Sequence, residues 1–143
     1  MEILTKGNKV NHKDLIQFES KIGNYLPEPF KEFIITENPI TIKERHIQKG
    51  NNTYEIHAFF PFKTDGHWTL EQSYDNLKEY YKNQYLGFAQ DCGGWEFIIC
   101  IAKNQNFGKV YFCRMDTEIE NAKTLIAENF TKFISNLHYN PNF

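Results

Sequence analysis

Residues 85–101 read YLGFAQDCGGWEFIICI. The runs Leu86–Gln90 and Trp95–Ile101 are short, the second rich in aromatic and β-branched residues, and Cys92-Gly93-Gly94 lies between them. If both runs are strands, the glycines reverse the chain and the fold rests on antiparallel pairing. If the turn is instead a tight, strained corner, Cys92 takes the place of a nucleophile. The run WEFIICI after the glycines is strand-like, so the first reading is preferred. The two glycines then supply the positive φ that a reversal of two strands needs.

The same reading argues against a catalytic thiol. A reactive cysteine requires a lowered pKa, from a helix N-terminus or a cationic neighbour, and usually a histidine base. With a strand following, no helix dipole helps, and the neighbouring charge in sequence is Asp91, whose carboxylate raises a thiol pKa. A histidine brought close by folding is the one route back to a nucleophile.

Downstream, Lys109–Met115 reads as a further strand. Thr117 with Glu120 is predicted to cap a closing helix. The stripe of that helix, Ala122, Leu125, Ile126, Phe130, Phe133, Ile134 and Leu137, is the strongest helical periodicity in the chain. Cys100 and Cys113 fall in adjacent strands, offset along their hairpin, and are predicted to be buried free thiols.

Upstream, the first ten residues form an arm or short strand. Asn11 with Asp14 caps a helix carrying Leu15, Phe18 and Ile22, which Gly23 stops. Pro27 and Pro29 open a second helix, with Phe30, Phe33 and Ile34 as its apolar stripe, and Asn38-Pro39 ends it. Ile40–Ile47 and Tyr54–Phe60 are predicted strands joined through KGNNT, with Glu55 and His57 on the polar face of the second and His46 on that of the first. Asp14 and Glu19 are expected on an exposed helix face. Thr69 with Gln72 is a capping box for a third helix with Leu70, Tyr74, Leu77 and Tyr81 on one side. Helices, strands, helix, strands, helix, with short strand-to-strand connections, define an α+β fold. Its mainly antiparallel central sheet is packed by helices in one domain spanning residues 1–143.

Composition agrees with a packed core. The chain has 143 residues, 41% hydrophobic and 16% aromatic, enough to bury a core without staples. A net charge of −2 does not favour nucleic acid. There is no secretory leader pattern and no run of membrane-spanning length. Three cysteines without CxxC suggest neither a disulfide framework nor a zinc knuckle, and a cytoplasmic setting is expected. The five histidines form no HxxxH or HExxH, and the phosphate-cradle and GxSxG patterns are missing. No catalytic residue, metal or cofactor is therefore assigned. Lys43, Arg45 and Lys49 make KERHIQK locally basic, but without interleaved aromatics they read as a solvated strand face.

FESKIGNYLPEPFKEFI, through Leu26, Pro27, Glu28, Phe30, Lys31 and Phe33, resembles the start of the SUKH superfamily of fungal cell-wall regulators and bacterial immunity proteins. Phe88-Ala89, Asp91 and the glycines before an aromatic strand are similar to its central strand pair. Gly108, Val110, Tyr111 and Asp116 resemble its next strand, and Phe130, Phe133, Ile134 and Leu137 its closing helix. The order is kept over nearly the whole chain. One departure is Asn38-Pro39-Ile40, where the family often has Asn-Gly-Gly.

The resemblance implies a non-enzymatic protein-binding domain. Its partner would be the toxin domain of a polymorphic or contact-dependent bacterial toxin, which it neutralises by direct binding. The alternative is a regulatory or scaffolding module on the same fold, and a Cys–His enzyme is a third reading. The expected partner-binding residues are Asp65, His67 and Trp68 in the loop before the third helix, together with Asp91 and Trp95 at the glycine turn. Trp95 also alternates with Phe97 and Ile99 as a core residue would. Against a basic nuclease, the acids would stand in for substrate phosphate.

Overall fold

Residues 85–101 fold as the antiparallel hairpin that the sequence predicts. In a computed structural model describing residues 1–142, β6 (Tyr85–Gln90) pairs with β7 (Glu96–Cys100), with Leu86 opposite Ile99 and Gln90 opposite Glu96. Only Gly94 of the two turn glycines takes a positive φ, at 88°. The second glycine alone therefore supplies the left-handed step expected of both. β8 (Val110–Cys113) continues the sheet, and β5 (Ala58–Phe59) flanks β6 on the other side.

The main departure from the sequence reading is at the C-terminal end. The single closing helix is three elements: α4 (Ile119–Ala122), β9 (Lys123–Ala127) and α5 (Phe130–Ser135). β9 pairs with β8, Tyr111 opposite Leu125, and completes a sheet of order β5-β6-β7-β8-β9. Every residue of β8 is buried, and β7 pairs only one of its edges, so a helix at 123–127 would leave the backbone groups of its other edge without a ladder partner. Sheet pairing overrides the local 3.6 periodicity, and Thr124-Leu125-Ile126 has the β-branched character a strand favours. The Thr117–Glu120 cap is also not formed. The N-cap of α4 is Glu118, without a side-chain bond, and the real cap lies later, where Asn129 accepts from the Lys132 amide at 2.8 Å and starts α5.

The two predicted upstream strands are each broken. β2 (Pro39–Ile42) pairs with β1 (Ile3–Lys6), and β3 (His46–Lys49) with β4 (Asn52–Glu55), leaving Lys43 and Arg45 between strands rather than on one. The Gly50-Asn51 turn of the β3–β4 hairpin lies where KGNNT places it. α1 (His12–Ile22) has its Asn11/Asp14 capping box and ends at Gly23, φ 72°. α2 (Glu28–Thr36) begins at the prolines. α3 (Leu70–Leu77) has its Thr69/Gln72 box but stops before Tyr81.

The sheet is covered on both faces, which is why β6, β7 and β8 carry almost no exposed residue. One face packs Leu86, Phe97, Ile99, Val110 and Phe112 against α1, α2 and α5. There Phe130 meets Phe33 at 5.0 Å, Phe30 at 5.1 Å and Phe88 at 5.6 Å between ring centroids. The other face packs Tyr85, Ile98, Cys100, Tyr111 and Cys113 under Tyr81, Ile119 and Ala122. Cys100 and Cys113 are both buried and free.

Three of the buried polar residues tie distant parts of the fold together. Glu19, expected at the surface, is 7% exposed; it accepts from the Leu26 amide at 2.7 Å and faces Lys31 at 3.4 Å, tying the Leu26-Pro27 step to α1. Asn38, where the family pattern departs, is 2% exposed at φ 40°; it accepts from the Phe62 amide and donates to the Asn8 and Phe62 carbonyls. Its side chain thus does the work of a turn by satisfying three backbone groups. Glu96 lies under Tyr81, whose hydroxyl donates to Oε1 at 2.7 Å, with Ser73 at 3.5 Å. Burial pushes its carboxyl up to about 7, against the opposing effect of those two hydrogen bonds.

Candidate functional site at the glycine turn

The turn between β6 and β7 is organised by Asp91. Its Oδ1 accepts from the amides of Gly93 and Trp95, both at 2.9 Å, while its amide donates to the Trp95 carbonyl at 2.8 Å. The aspartate predicted to face a partner is thus a structural acceptor that fixes Trp95. The Trp95 ring is half-buried, edge-on to Phe112 at 6.3 Å, and carries the Arg114 guanidinium over its face at 5.3 Å. The Tyr54 ring of β4 also meets Phe112, tilted by 48° at 4.9 Å between centroids. Between the β3–β4 hairpin and this end of the sheet runs a groove of about 310 Å³. Asn52, Thr53, Tyr54 and Glu55 form one wall, with Asp91, Cys92, Trp95 and Arg114 opposite.

Cys92 is exposed at the groove, and folding does bring it a histidine: His57 Nδ1 lies 3.9 Å from Sγ. It also brings Glu55, to which the thiol donates at 2.8 Å. That hydrogen bond raises the thiol pKa, burial and the charge of Glu55 add to it, and Arg45 opposes. Reciprocally, the bond from Cys92 holds the Glu55 carboxyl below its ordinary value. A protonated thiol beside an ionised carboxylate is the reverse of the Cys–His arrangement that makes a nucleophile. The other oxygen of Glu55 faces His46 Nε2 at 3.3 Å. His46, predicted on a polar strand face, is 2% exposed, and its backbone bridges to His138; His57 is exposed as expected.

The other predicted residues lie apart. Asp65, His67 and Trp68 occupy the exposed loop before α3, with Trp68 42% exposed, and none of them lines the groove. The residues that sequence reasoning missed are Tyr54, Glu55, Arg45 and Arg114. Alternation marked Glu55 as facing polar surroundings, but nothing local signals that Arg114 lies over Trp95. Among the described residues no group of three or more His, Cys, Asp or Glu is arranged to hold a metal ion, and no helix is long and apolar enough to cross a membrane.

An α+β domain with a two-faced antiparallel sheet, ending in an aromatic groove, matches one known family along almost its whole length. The chain belongs to the SMI1/KNR4 family (SUKH-1), which it matches over residues 9–136. The SUKH group includes toxin-immunity proteins. No curated protein matches the chain.

Proposed function

We propose that this protein is an immunity protein, which neutralises a cognate bacterial toxin domain in the cytoplasm by binding it directly and catalyses no reaction itself. The observation that carries this reading is family membership across residues 9–136, since that group includes toxin-immunity proteins. The chemistry at Cys92 supports the non-enzymatic part, because Glu55 raises the thiol pKa rather than lowering it. Two exposed surfaces offer aromatic anchors of the kind that concentrate binding energy. One is the groove at Trp95; the other is the loop of Asp65, His67 and Trp68. We place the toxin across the first, with the second at the edge of the interface.

The test is protection in cells. The toxin domain encoded beside this gene is expressed with and without this protein, and survival is measured. Rescue that does not extend to unrelated toxin domains supports the reading. A neighbouring gene that encodes no toxin, or a toxin unaffected by this protein, refutes it and favours a regulatory module on the same fold.

A further inference from the structure

Strand β4 has one partner. It pairs with β3 and, among the described residues, with nothing on its other side. The Ile56 amide donates to the Arg45 carbonyl at 2.7 Å, which sets the phase of the ladder. In an antiparallel pair, bonded and non-bonded positions alternate. Ile56, Tyr54 and Asn52 therefore face β3, and the backbone groups of Thr53 and Glu55 point outward along the groove. An unpaired strand edge is a template for a further strand.

The charges around that edge are not equivalent. Asp91 Oδ1 already accepts from two amides of its own turn, and Glu55 is engaged by Cys92 and His46. Arg114 is different: it lies on Trp95 with no salt bridge to a carboxylate among the described residues, whereas Arg45, outside the groove lining, already acts on the Glu55 carboxylate. The cationic donor at the groove is therefore Arg114, planar and suited to a carboxylate. This inverts the sequence-based expectation that acids here meet a basic partner.

We propose that the groove binds an extended, acidic segment of a partner protein, which adds as a strand to the free edge of β4 and places a carboxylate on Arg114. Main-chain hydrogen bonds to Thr53 and Glu55 give the segment its register, and the Trp95–Arg114 stack reads its side chains. This rests on the protein-binding reading above and deepens it by giving the partner's chemistry.

The test uses a short fluorescein-labelled peptide of alternating glutamate and valine, with fluorescence anisotropy as readout. Controls are a lysine–valine peptide, a proline-interrupted glutamate–valine peptide and a short oligothymidylate. The glutamate–valine peptide is expected to bind alone of the four. R114Q is expected to weaken it by about tenfold, the scale of losing a hydrogen bond to a charged group. Bound peptide should also slow hydrogen exchange at the Thr53 and Glu55 amides, a readout that does not depend on any variant folding. Binding of the lysine peptide or of the oligonucleotide with equal strength, no effect of R114Q, unchanged exchange, or no binding by the acidic peptide would each overturn the proposal. If the acidic peptide fails while the protein still protects against its neighbouring toxin, the groove is wrong and the immunity reading stands. If the peptide binds and protection fails, the reverse holds.

Discussion

Glu96→Gln should make this protein more stable above neutral pH. Glu96 is 5% exposed, on the face of the sheet covered by Tyr81, and burial pushes its carboxyl up to about 7. In the unfolded chain it titrates near the ordinary 4.5. The folded state thus prefers the protonated acid. Its stability is greatest below the unfolded pKa, falls as pH rises from about 4.5 to about 7, and is flat with respect to this group above that. The gap from 4.5 to about 7, at about 1.4 kcal/mol per pKa unit, amounts to about 3 kcal/mol. Glutamine keeps an acceptor for the Tyr81 hydroxyl and carries no charge. Its extra amide hydrogens cost about 1 kcal/mol if they find no partner, so the net gain at pH 8 is about 2 kcal/mol, with a rise in Tm of roughly 6–8 °C. The assay is urea unfolding of both proteins from pH 4 to pH 8. The wild-type curve should fall relative to the variant between pH 4.5 and 7. A difference between the two that does not change with pH would refute the reasoning, and so would a variant less stable at pH 8.

Other substitutions test neighbouring parts of the account. A Cβ on Gly87 would lie 2.0 Å from Glu96 Oε1 and 2.7 Å from Ser73 Oγ, so Gly87→Ala should cost about 1–3 kcal/mol by overpacking, read from its denaturation midpoint. Phe130→Ala removes a 2%-exposed ring packed on Phe30, Phe33 and Phe88 and should cost about 3–5 kcal/mol; an unchanged Tm would contradict the placement of α5. Cys92→Ser should leave folding and partner binding intact. In the wild type, Cys92 should alkylate more slowly at neutral pH than a free cysteine, and Glu55→Gln, which removes the group that raises its pKa, should speed the reaction.

What the sequence made legible was whatever depends on residues close together in the chain. Asn11/Asp14 and Thr69/Gln72 form their capping boxes, and Gly23 its left-handed stop, because each is complete within a few residues. The α+β class followed from the order of helices and strands, and the antiparallel pairing from the hairpin at 85–101. The closing segment misled because Leu125, Ile126 and Phe130 satisfy a helical stripe, while the need of β8 for a second ladder partner beside β7 is invisible locally. Glu19 and His46 looked like surface residues for the same reason: their partners, the Leu26 amide and Glu55, are set by tertiary structure. At the groove, Asp91 and Trp95 were legible as a pair beside a turn. The exchange of roles between them was not. Asp91 turns inward to hold Trp95, and Arg114, nineteen residues further on in sequence, supplies the charge at the surface.

The central claim is that this chain acts by binding a toxin domain. The most direct measurement is calorimetric titration of the purified protein into the purified toxin domain encoded by the adjacent gene, with toxin activity followed in parallel. The account predicts a stoichiometric complex and loss of activity that tracks its formation, both weakened by R114Q and unaffected by Cys92→Ser. No heat of binding, or a complex in which the toxin keeps full activity, would contradict it.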